Sequence, residues 1–318
     1  MMDWTDRHCR YFLRLISERA RLYTEMITAP ALVHGDVARH LDFDPAEHPL
    51  ALQLGGSDPA QLAHAARLGE RWGYDEINLN CGCPSERVQT GSFGACLMRE
   101  PALVADCVKA MRDAVAIPVT VKHRIGLDAE AEYRFVRDFV GTVAAAGCAV
   151  FIVHARNAVL KGLSPKANRE VPPLRYEVVR QLKEDFPALT IVLNGGLSDY
   201  RAIERELPHV DGVMLGRVAY HDPFVLAQAD WKLFGDAMPA RSRAEVLRAM
   251  IPYAQWHVAR GTPLRAIVRH MLGLYHGQSK GRLYRRLLSD ADRLRGADIG
   301  LLEEALSAVE PRLAEEIA

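Results

Sequence analysis

The chain has 318 residues, of which 49% are hydrophobic and 25% are charged, so it can form one large globular domain and a smaller one. Its 40 basic and 40 acidic residues balance, which excludes a global charge that would draw it to nucleic acid or membranes. The longest apolar runs are too short to cross a bilayer, and no secretion leader is expected. Six cysteines without the spacing of a disulfide framework favour a reducing cytoplasm.

Short apolar segments alternate with amphipathic ones through the first 230 residues. The predicted strands are Leu22–Ile27, Leu50–Leu54, Glu76–Asn80, Ile117–His123, Val150–His154, Thr190–Asn194 and Gly212–Gly216. The predicted helices are Pro59–Trp72, Pro101–Ala114, Ala129–Ala146, Leu174–Phe186 and Tyr200–Glu206. This alternation predicts an α/β fold, a (β/α)₈ barrel, because no Gly-x-Gly-x-x-Gly follows the first strand to favour an open doubly wound sheet.

The beginning of the chain predicts an incomplete first strand. Met1–Asp6 has the sequence of a strand exit, and a helix is predicted directly after it over Arg7–Arg19. We therefore expect the barrel to have its first strand truncated, with the body of that strand lying before Met1. Losing one of eight strands is expected to lower the stability of the barrel.

After Asp230 the alternation of strands and helices stops. Phe234–Pro239 is rich in turn-forming residues and is predicted to be a linker. Ser242 and Glu245 then form a capping-box pattern. The helices predicted beyond it are Arg243–Arg260, Pro263–Tyr275, Arg282–Leu288 and Gly300–Ala314. We predict a barrel domain over residues 1–235 and a C-terminal all-helical domain over residues 241–318.

One segment of this helical region is strongly basic. No Asp or Glu occurs from Val246 to Ser289. The segment carries eight cationic side chains, namely Arg248, Arg260, Arg265, Arg269, Lys280, Arg282, Arg285 and Arg286. A neutral protein with one acid-free basic segment is expected to direct it at a polyanion. The alternative is a solvated helix face with partners elsewhere in the fold.

Polar residues and glycines follow six successive predicted strands. They are Gln53 with Gly55 and Gly56, Asn80 with Cys83, Lys122 to Arg124, His154 to Arg156, Asn194 with Gly195 and Gly196, and Gly216 with Arg217. The functional residues of a (β/α)₈ barrel gather where its strands end. The last two glycine turns and Arg217 suit a phosphate group, because no Cβ blocks the backbone N–H groups. The alternative is that these turns need glycine only for their shape.

The segment Cys81-Gly82-Cys83-Pro84 supplies a candidate thiol. Cys83, on the loop beside the proline, is the better exposed of the two and is a candidate proton donor or nucleophile. The alternative is an ordinary buried cysteine. No second Cys or His pair stands at ligand spacing, so no metal site is predicted.

Lys122 ends a strand predicted to be buried on both sides and needs an anionic partner or a reason to lose its proton. It could stabilise a reduced flavin, form a Schiff base with a carbonyl substrate, or form a structural salt bridge. Gln53 and Asn80 offer amides to the edge of a flat heterocycle. His154 could donate to a phosphate or a ring carbonyl, or be a satisfied core histidine.

These segments together resemble the tRNA-dihydrouridine synthases, flavin enzymes that reduce uridine in tRNA. The matching stretches are Met2–Arg7, Leu52–Gly56, Ile77–Ser85, Val119–Lys122, Val153–Arg156, Asn194–Gly196 and Asp211–Arg217. Two further stretches, Leu163–Glu170 and Arg269–Leu274, are similar to the A-type bacterial subfamily, which modifies D-loop uridines at positions 20 and 20a. The chain departs from the family in lacking an Ala-Pro-Met strand end before Asp3 and in having Cys81 at a usually aliphatic position.

The resemblance implies an FMN-binding barrel followed by a helical tRNA-binding domain. The implied FMN contacts are Met1, Met2, Gln53, Lys122, His154, Asn194, Gly195, Gly196, Gly216 and Arg217. The implied tRNA contacts are Asn80, Lys166, Arg169, Arg282 and Arg285. NADPH would reduce FMN, a hydride would pass to C6 of the uracil, and Cys83 would deliver a proton to C5.

The cysteines, the short apolar runs and the lack of metal-ligand spacing lead us to expect a cytoplasmic enzyme that has no membrane or metal partner, and a monomer is expected. Three other readings are consistent with parts of the sequence. An FMN-dependent dehydrogenase of small pyrimidines would share the barrel but would not need the basic helices. A flavin-free lyase or aldolase would use Lys122 as a Schiff base, and a non-catalytic RNA-binding protein would not need Cys83.

Overall fold

The computed structural model describes residues 1–236 and 241–310. The predicted linker lies partly outside these residues, at 237–239, and the predicted last helix lies outside them at 311–314. Within the described residues, seven strands form one sheet in sequential order. The strands are β1 (Leu22–Thr28), β2 (Leu50–Gly55), β3 (Glu76–Cys81), β4 (Val119–Arg124), β5 (Val150–His154), β6 (Thr190–Asn194) and β7 (Gly212–Met214).

Neighbouring strands from β2 to β7 pair in parallel, and helices connect them along the chain. Sequential order, parallel direction and alternating helices are the features of a (β/α)₈ barrel. No described strand precedes the first helix. The predicted fold class, a (β/α)₈ barrel followed by a C-terminal helical region, is confirmed.

The α-helices are α1 (Arg7–Arg14), α2 (Ala29–His34), α3 (Val37–Leu41), α4 (Pro59–Trp72), α5 (Glu86–Thr90), α6 (Pro101–Ala114), α7 (Tyr133–Ala145), α8 (Tyr176–Asp185), α9 (Tyr200–Glu206), α10 (Arg217–His221), α11 (Ala229–Phe234), α12 (Arg243–Val258), α13 (Leu264–Val268), α14 (Gly281–Leu287), α15 (Ala291–Arg295) and α16 (Gly300–Val309). Short 3₁₀ helices occupy Pro45–Glu47, Gly94–Arg99, Ala167–Arg169, Leu207–His209 and Pro223–Gln228. No helix among the described residues is long and apolar enough to cross a membrane.

The chain divides into two compact units. The first unit contains Met1, Tyr23–Phe43 and Leu50–Gly216, and therefore nearly all of the sheet. The second unit contains Met2–Leu22, Asp44–Pro49 and the chain from Arg217 onward. The domain limits at 1–235 and 241–318 stay a prediction about which parts fold independently.

In the first unit, helix α4 packs against the outer, apolar face of the sheet. Asp58 caps its N-terminus by accepting a hydrogen bond from the Gln61 N–H, and Gly73 ends it with a φ of 94°. A Cβ on Gly69 would lie 2.6 Å from Leu52 and 2.7 Å from Ile77. The helix therefore packs closely on apolar side chains of β2 and β3.

The opposite face of the same strands is polar. In β3, Glu76, Asn78 and Asn80 alternate with the apolar residues of the outer face. The register places Asn78 beside Gln53 of β2 and Thr120 of β4. Polar side chains from three strands therefore form one row, ending near the loop that carries Cys83.

In the second unit, the Ser242–Glu245 capping box predicted at the start of α12 is present. Its buried residues include Leu247 and Met250. Tyr284 of α14 is fully buried, and its hydroxyl donates to the Met271 carbonyl oxygen at 3.2 Å. These contacts give the helical region an apolar core of its own.

Several predicted helices are shorter than the sequence pattern indicates, among them Ala129–Ala146, which is observed as α7 (Tyr133–Ala145), and two others show specific contacts at their ends. The helix predicted over Arg7–Arg19 ends at Arg14, because Ser17, Glu18 and Arg19 donate hydrogen bonds to the Asp230 carboxylate. The helix predicted over Pro263–Tyr275 is regular only as α13, and tighter i→i+3 hydrogen bonds follow it. A Cβ on Gly273 would lie 2.5 Å from the His221 carbonyl oxygen, so this part of the chain packs closely against the residues around His221.

Candidate active site

The Cys83 loop begins where β3 ends. The Asn80 side-chain oxygen accepts hydrogen bonds from the N–H groups of Gly82 and Cys83, both at 3.0 Å, and fixes a tight turn. Cys81 is fully buried, and burial raises the pKa of its thiol well above the usual value. Cys83 is half-buried, with its Sγ 3.6 Å from the Ser85 hydroxyl. Of the two thiols, Cys83 is therefore the one a ligand can reach.

Gln53 and Asn80, both predicted from the strand ends, contact each other directly. The Asn80 amide nitrogen donates to the Gln53 side-chain oxygen at 2.8 Å, and the Gln53 nitrogen donates to the Asn78 side-chain oxygen at 2.9 Å. Asn78 in turn donates to the Thr120 hydroxyl at 2.8 Å. Sequence reasoning missed Asn78 and Thr120, although the alternation along β3 could have indicated that Asn78 shares a face with Asn80.

Lys122 lies on the polar face of β4. Its ammonium nitrogen donates to the Asn194 side-chain oxygen at 3.0 Å, so side chains from β4 and β6 meet across β5. The Lys122 side chain is half-buried. Desolvation nevertheless lowers its pKa to about 7, with a smaller contribution from the positive charge of Arg124. Lys122 has no ion-pair partner in the part of the chain that the structure describes, so a structural salt bridge does not explain it.

His154 ends β5 and pairs in register with Asn194 of β6 and Arg124 of β4. Its side chain is 9% exposed, and burial lowers its pKa well below the usual value. The cations of Arg124 and Lys122 lower that pKa further. The imidazole is therefore neutral at pH 7, and it can donate one N–H and accept one hydrogen bond.

The turn after β6 approaches its neighbours too closely for any residue except glycine. Gly195 and Gly196 have φ values of 109° and 73°. A Cβ on Gly195 would lie 2.6 Å from the His154 ring, and one on Gly196 would lie 2.3 Å from Leu174. No acceptor within residues 1–236 and 241–310 binds the two N–H groups of this turn. The turn is consequently a cradle of donors suited to an anionic or carbonyl oxygen.

The remaining predicted cofactor contacts are divided between the two units along the chain. Met1 and Gly216 belong to the first unit, whereas Met2 and Arg217 belong to the second. Met2 is 57% exposed, and a Cβ on Gly216 would meet nothing within 4 Å. Their role as cofactor contacts stays a prediction.

Two predicted RNA contacts lie on the loop after β5. Asn168, fully buried, holds this loop, because its side chain accepts from the Val159 N–H at 2.7 Å and donates to the Val159 carbonyl at 2.8 Å. Arg124 donates to the Asn168 carbonyl oxygen at 3.0 Å. Lys166 is exposed and Arg169 is half-buried. A fixed loop therefore carries both cations on the strand-end side of the first unit.

The other two predicted RNA contacts lie on α14 in the second unit. Arg282 and Arg285 are exposed, whereas Tyr284 of the same helix is buried. All eight cations of the acid-free segment are exposed. Among the described residues, Arg269 is the one member with a carboxylate in ion-pair distance, Asp6 at 2.7 Å. The segment is thus a largely unneutralised basic surface, which suits a polyanionic partner.

No group of three or more His, Cys, Asp and Glu side chains in the described residues is placed to hold a metal ion. The site instead combines one accessible thiol, a row of amides, an amine with a lowered pKa and a glycine cradle. Such a set can bind a flat heterocycle with an anionic tail and can supply one proton.

Comparisons with known proteins agree with this chemistry. The model of the family described as dihydrouridine synthase (Dus) matches residues 1–310. A tRNA-dihydrouridine(20/20a) synthase of Xanthomonas campestris pv. campestris is 59% identical over 305 residues, covering 96% of this chain and 90% of that protein. Proteins of the same name are 61% identical in Pseudomonas syringae pv. tomato, over 91% of this chain and 86% of theirs, and 56% identical in Salmonella typhimurium, over 97% and 93%.

The matched residues span both compact units and include every strand of the sheet. The resemblance predicted from the sequence motifs is therefore confirmed. On the extent of the family match and the level of these identities, the chain belongs to the dihydrouridine synthase (Dus) family.

Proposed function

We propose that this protein reduces uridine to 5,6-dihydrouridine in the D-loop of tRNA, at positions 20 and 20a. Similar proteins that are 56% to 61% identical carry the name tRNA-dihydrouridine(20/20a) synthase. The observation that carries the proposal is the accessible Cys83 thiol beside the amides of Asn80 and Gln53. It supplies a proton donor next to a surface that can hold a planar ring.

The cofactor is FMN, and the residues at the strand ends fit it. Gln53 offers a donor and an acceptor, Lys122 an amine and His154 a neutral ring nitrogen. The turn of Gly195 and Gly196 offers N–H groups where a side chain would collide. We include Met1, Met2, Asn194, Gly216 and Arg217 among the proposed contacts. When bound, FMN would supply the hydride that reduces C6 of the uracil ring, with NADPH as the reductant.

Cys83 is the general acid in this proposal. Its Sγ holds the proton that completes C5 of the reduced ring, and the Asn80 side chain fixes the backbone that carries the thiol. Lys122 provides positive charge where negative charge develops, because an anion beside it raises its pKa from about 7. The neutral His154 donates an N–H without adding a second charge.

The target uridine must leave its stack to reach these residues. Asn80, Lys166 and Arg169 are the proposed RNA contacts on the first unit, and Arg282 and Arg285 are those on the second. The largely unneutralised basic segment supports binding to the tRNA backbone. All six cysteines are free thiols, which supports a cytoplasmic location, and we propose that the enzyme acts as a monomer.

Oxidation of the NADPH-reduced enzyme by different substrates tests the proposal. Under anaerobic conditions, unmodified tRNA should restore the absorbance of oxidised flavin, whereas free uridine and free uracil should not. Rapid reoxidation by a free pyrimidine but not by tRNA would instead support the small-molecule dehydrogenase. Protein that binds no flavin and reduces nothing would contradict both.

A further inference from the structure

A single chain of hydrogen bonds runs along the polar face of the sheet towards the Cys83 loop. It begins at Glu76, whose side-chain oxygen accepts from the Thr120 hydroxyl at 2.6 Å and from the Tyr23 hydroxyl at 3.0 Å. A length of 2.6 Å is typical of a hydroxyl donating to a carboxylate. Because the one hydrogen of Thr120 is given to Glu76, the Thr120 oxygen can only accept from Asn78.

The bond from Asn78 to Thr120 fixes which way the Asn78 amide points. Its nitrogen faces Thr120, so its oxygen faces Gln53 and accepts from the Gln53 nitrogen. The Gln53 oxygen then accepts from the Asn80 nitrogen, and the Asn80 oxygen accepts from the Gly82 and Cys83 N–H groups. Every donor in the chain therefore points towards Glu76.

Both ends of the chain allow only this direction. A carboxylate at Glu76 accepts and cannot donate, and the backbone N–H groups of Gly82 and Cys83 donate and cannot accept. If the amides of Asn78, Gln53 and Asn80 were reversed, the Asn80 nitrogen would face those two N–H groups, donor against donor. The turn that presents Cys83 would lose both of its side-chain hydrogen bonds.

We propose that Glu76, Thr120 and Asn78 are positioning residues that fix the amide orientation of Gln53 and Asn80 and thereby the turn carrying Cys83. Asn78 is fully buried, and Thr120 and Glu76 are 1% and 4% exposed, so they act through the two amides rather than by touching a ligand. This inference rests on the proposed function, in which Gln53 contacts the cofactor and Cys83 supplies the proton.

Two substitutions at Thr120 test the inference as a matched pair. Thr120→Val removes the hydroxyl and breaks the chain, whereas Thr120→Ser keeps the hydroxyl and loses only a methyl group. We expect Thr120→Val to lower kcat per bound flavin by about tenfold or more, because small misplacements of reacting groups are costly. Thr120→Ser should keep most of kcat.

The absorbance spectrum of the bound flavin gives a second readout. Thr120→Val should shift it, because Gln53 no longer has a fixed orientation, and Thr120→Ser should not. Glu76→Gln should act in the same direction as Thr120→Val, since its amide can donate to Thr120 and permit reversal. A role in folding alone would lower the melting temperature and flavin occupancy but leave kcat per bound flavin and the spectrum unchanged.

The inference is overturned if Thr120→Val and Thr120→Ser have the same kcat per bound flavin and the same spectrum. If Glu76→Gln does not fold, the comparison of Thr120→Val with Thr120→Ser still tests the inference. If the unmodified enzyme binds flavin but does not reduce tRNA, the proposed function fails, and the spectra of the Thr120 pair still show whether the hydroxyl orients Gln53.

Discussion

Cys81 and Cys83 are two residues apart but have different surroundings. Cys81 is fully buried, and burial raises the pKa of its thiol well above the usual value. Cys83 is half-buried and follows a turn held by Asn80. A buried thiol packs as a small apolar group, whereas an accessible thiol on a fixed turn can meet a bound base.

Replacing Cys83 separates cofactor binding from catalysis. We expect Cys83→Ala to retain bound flavin and to lose about 100-fold or more of its turnover on tRNA, which is the contribution of a typical general acid. Cys81→Ala is the matched control and should keep its turnover with a lower melting temperature. Turnover should be measured as dihydrouridine formed per bound flavin. Wild-type turnover by Cys83→Ala would refute the assignment of the acid.

The lowered pKa of Lys122 predicts that the stability of the folded protein depends on pH. Its pKa is lowered in the folded protein to about 7 from the ordinary 10.5, first by desolvation and then by Arg124. Between these values the unfolded chain holds a proton that the folded protein has lost, so the contribution of Lys122 to stability rises with pH. In urea unfolding of flavin-free protein, Lys122→Met should show a smaller rise across this range. An equal rise in both proteins would contradict the lowered pKa.

At the scale of elements, local signals explain which predictions were accurate. The predicted bounds of α4, α6 and α9 and of β5 and β6 match the structure, and α4 owes this to Asp58 before its start and Gly73 after its end. The helix predicted over Arg7–Arg19 was wrong at its end, because the Ser17 hydroxyl donates a hydrogen bond to Asp230, which is more than two hundred residues away in the sequence. Such long-range contacts leave no local pattern.

The same distinction between local signals and long-range contacts applies to the residues of the candidate active site. Residues at strand ends, such as Gln53, Lys122 and His154, could be picked out because the barrel fold gathers those positions. The link from Asn78 to Thr120 and Gln53 could not, because it depends on the register that places these three side chains in one row. Register is set by pairing between strands and is not written in either strand alone.

A substitution in the glycine turn after β6 should lower both the stability of the protein and its affinity for FMN. Gly195→Ala should destabilise the protein by about 1–3 kcal/mol, because its φ is 109° and its Cβ would collide with His154. The same change should weaken FMN binding by moving the ring and the turn. Gly212→Ala is the control, since its Cβ would meet Val192 at an ordinary 3.7 Å. Thermal unfolding and FMN titration of both variants check this, and equal behaviour would count against the cradle.

At the scale of the whole molecule, the proposed catalytic groups and the basic surface belong to different compact units. The thiol, the amides and the glycine cradle are in the first unit, and the acid-free basic segment is in the second. Composition alone hid this division, because the net charge of the chain is zero. The distribution of charge along the sequence, rather than its sum, predicted the basic surface.

Arg282 and Arg285 should therefore affect RNA binding without affecting the flavin. We expect the double variant Arg282→Ala with Arg285→Ala to bind tRNA more weakly and to flatten the slope of log affinity against log salt by about two, one for each lost phosphate contact. Arg134→Ala is the control, because Arg134 is exposed but paired with Asp138. An unchanged slope with normal flavin content would show that these arginines do not contact the RNA.

The most direct measurement is mass spectrometry of D-loop fragments from unmodified tRNA incubated with the enzyme, FMN and NADPH. A gain of two hydrogens at position 20 or 20a is expected with the wild type and is expected to be absent with Cys83→Ala that retains its flavin. Flavin-loaded wild-type enzyme that leaves both positions unchanged would contradict the account.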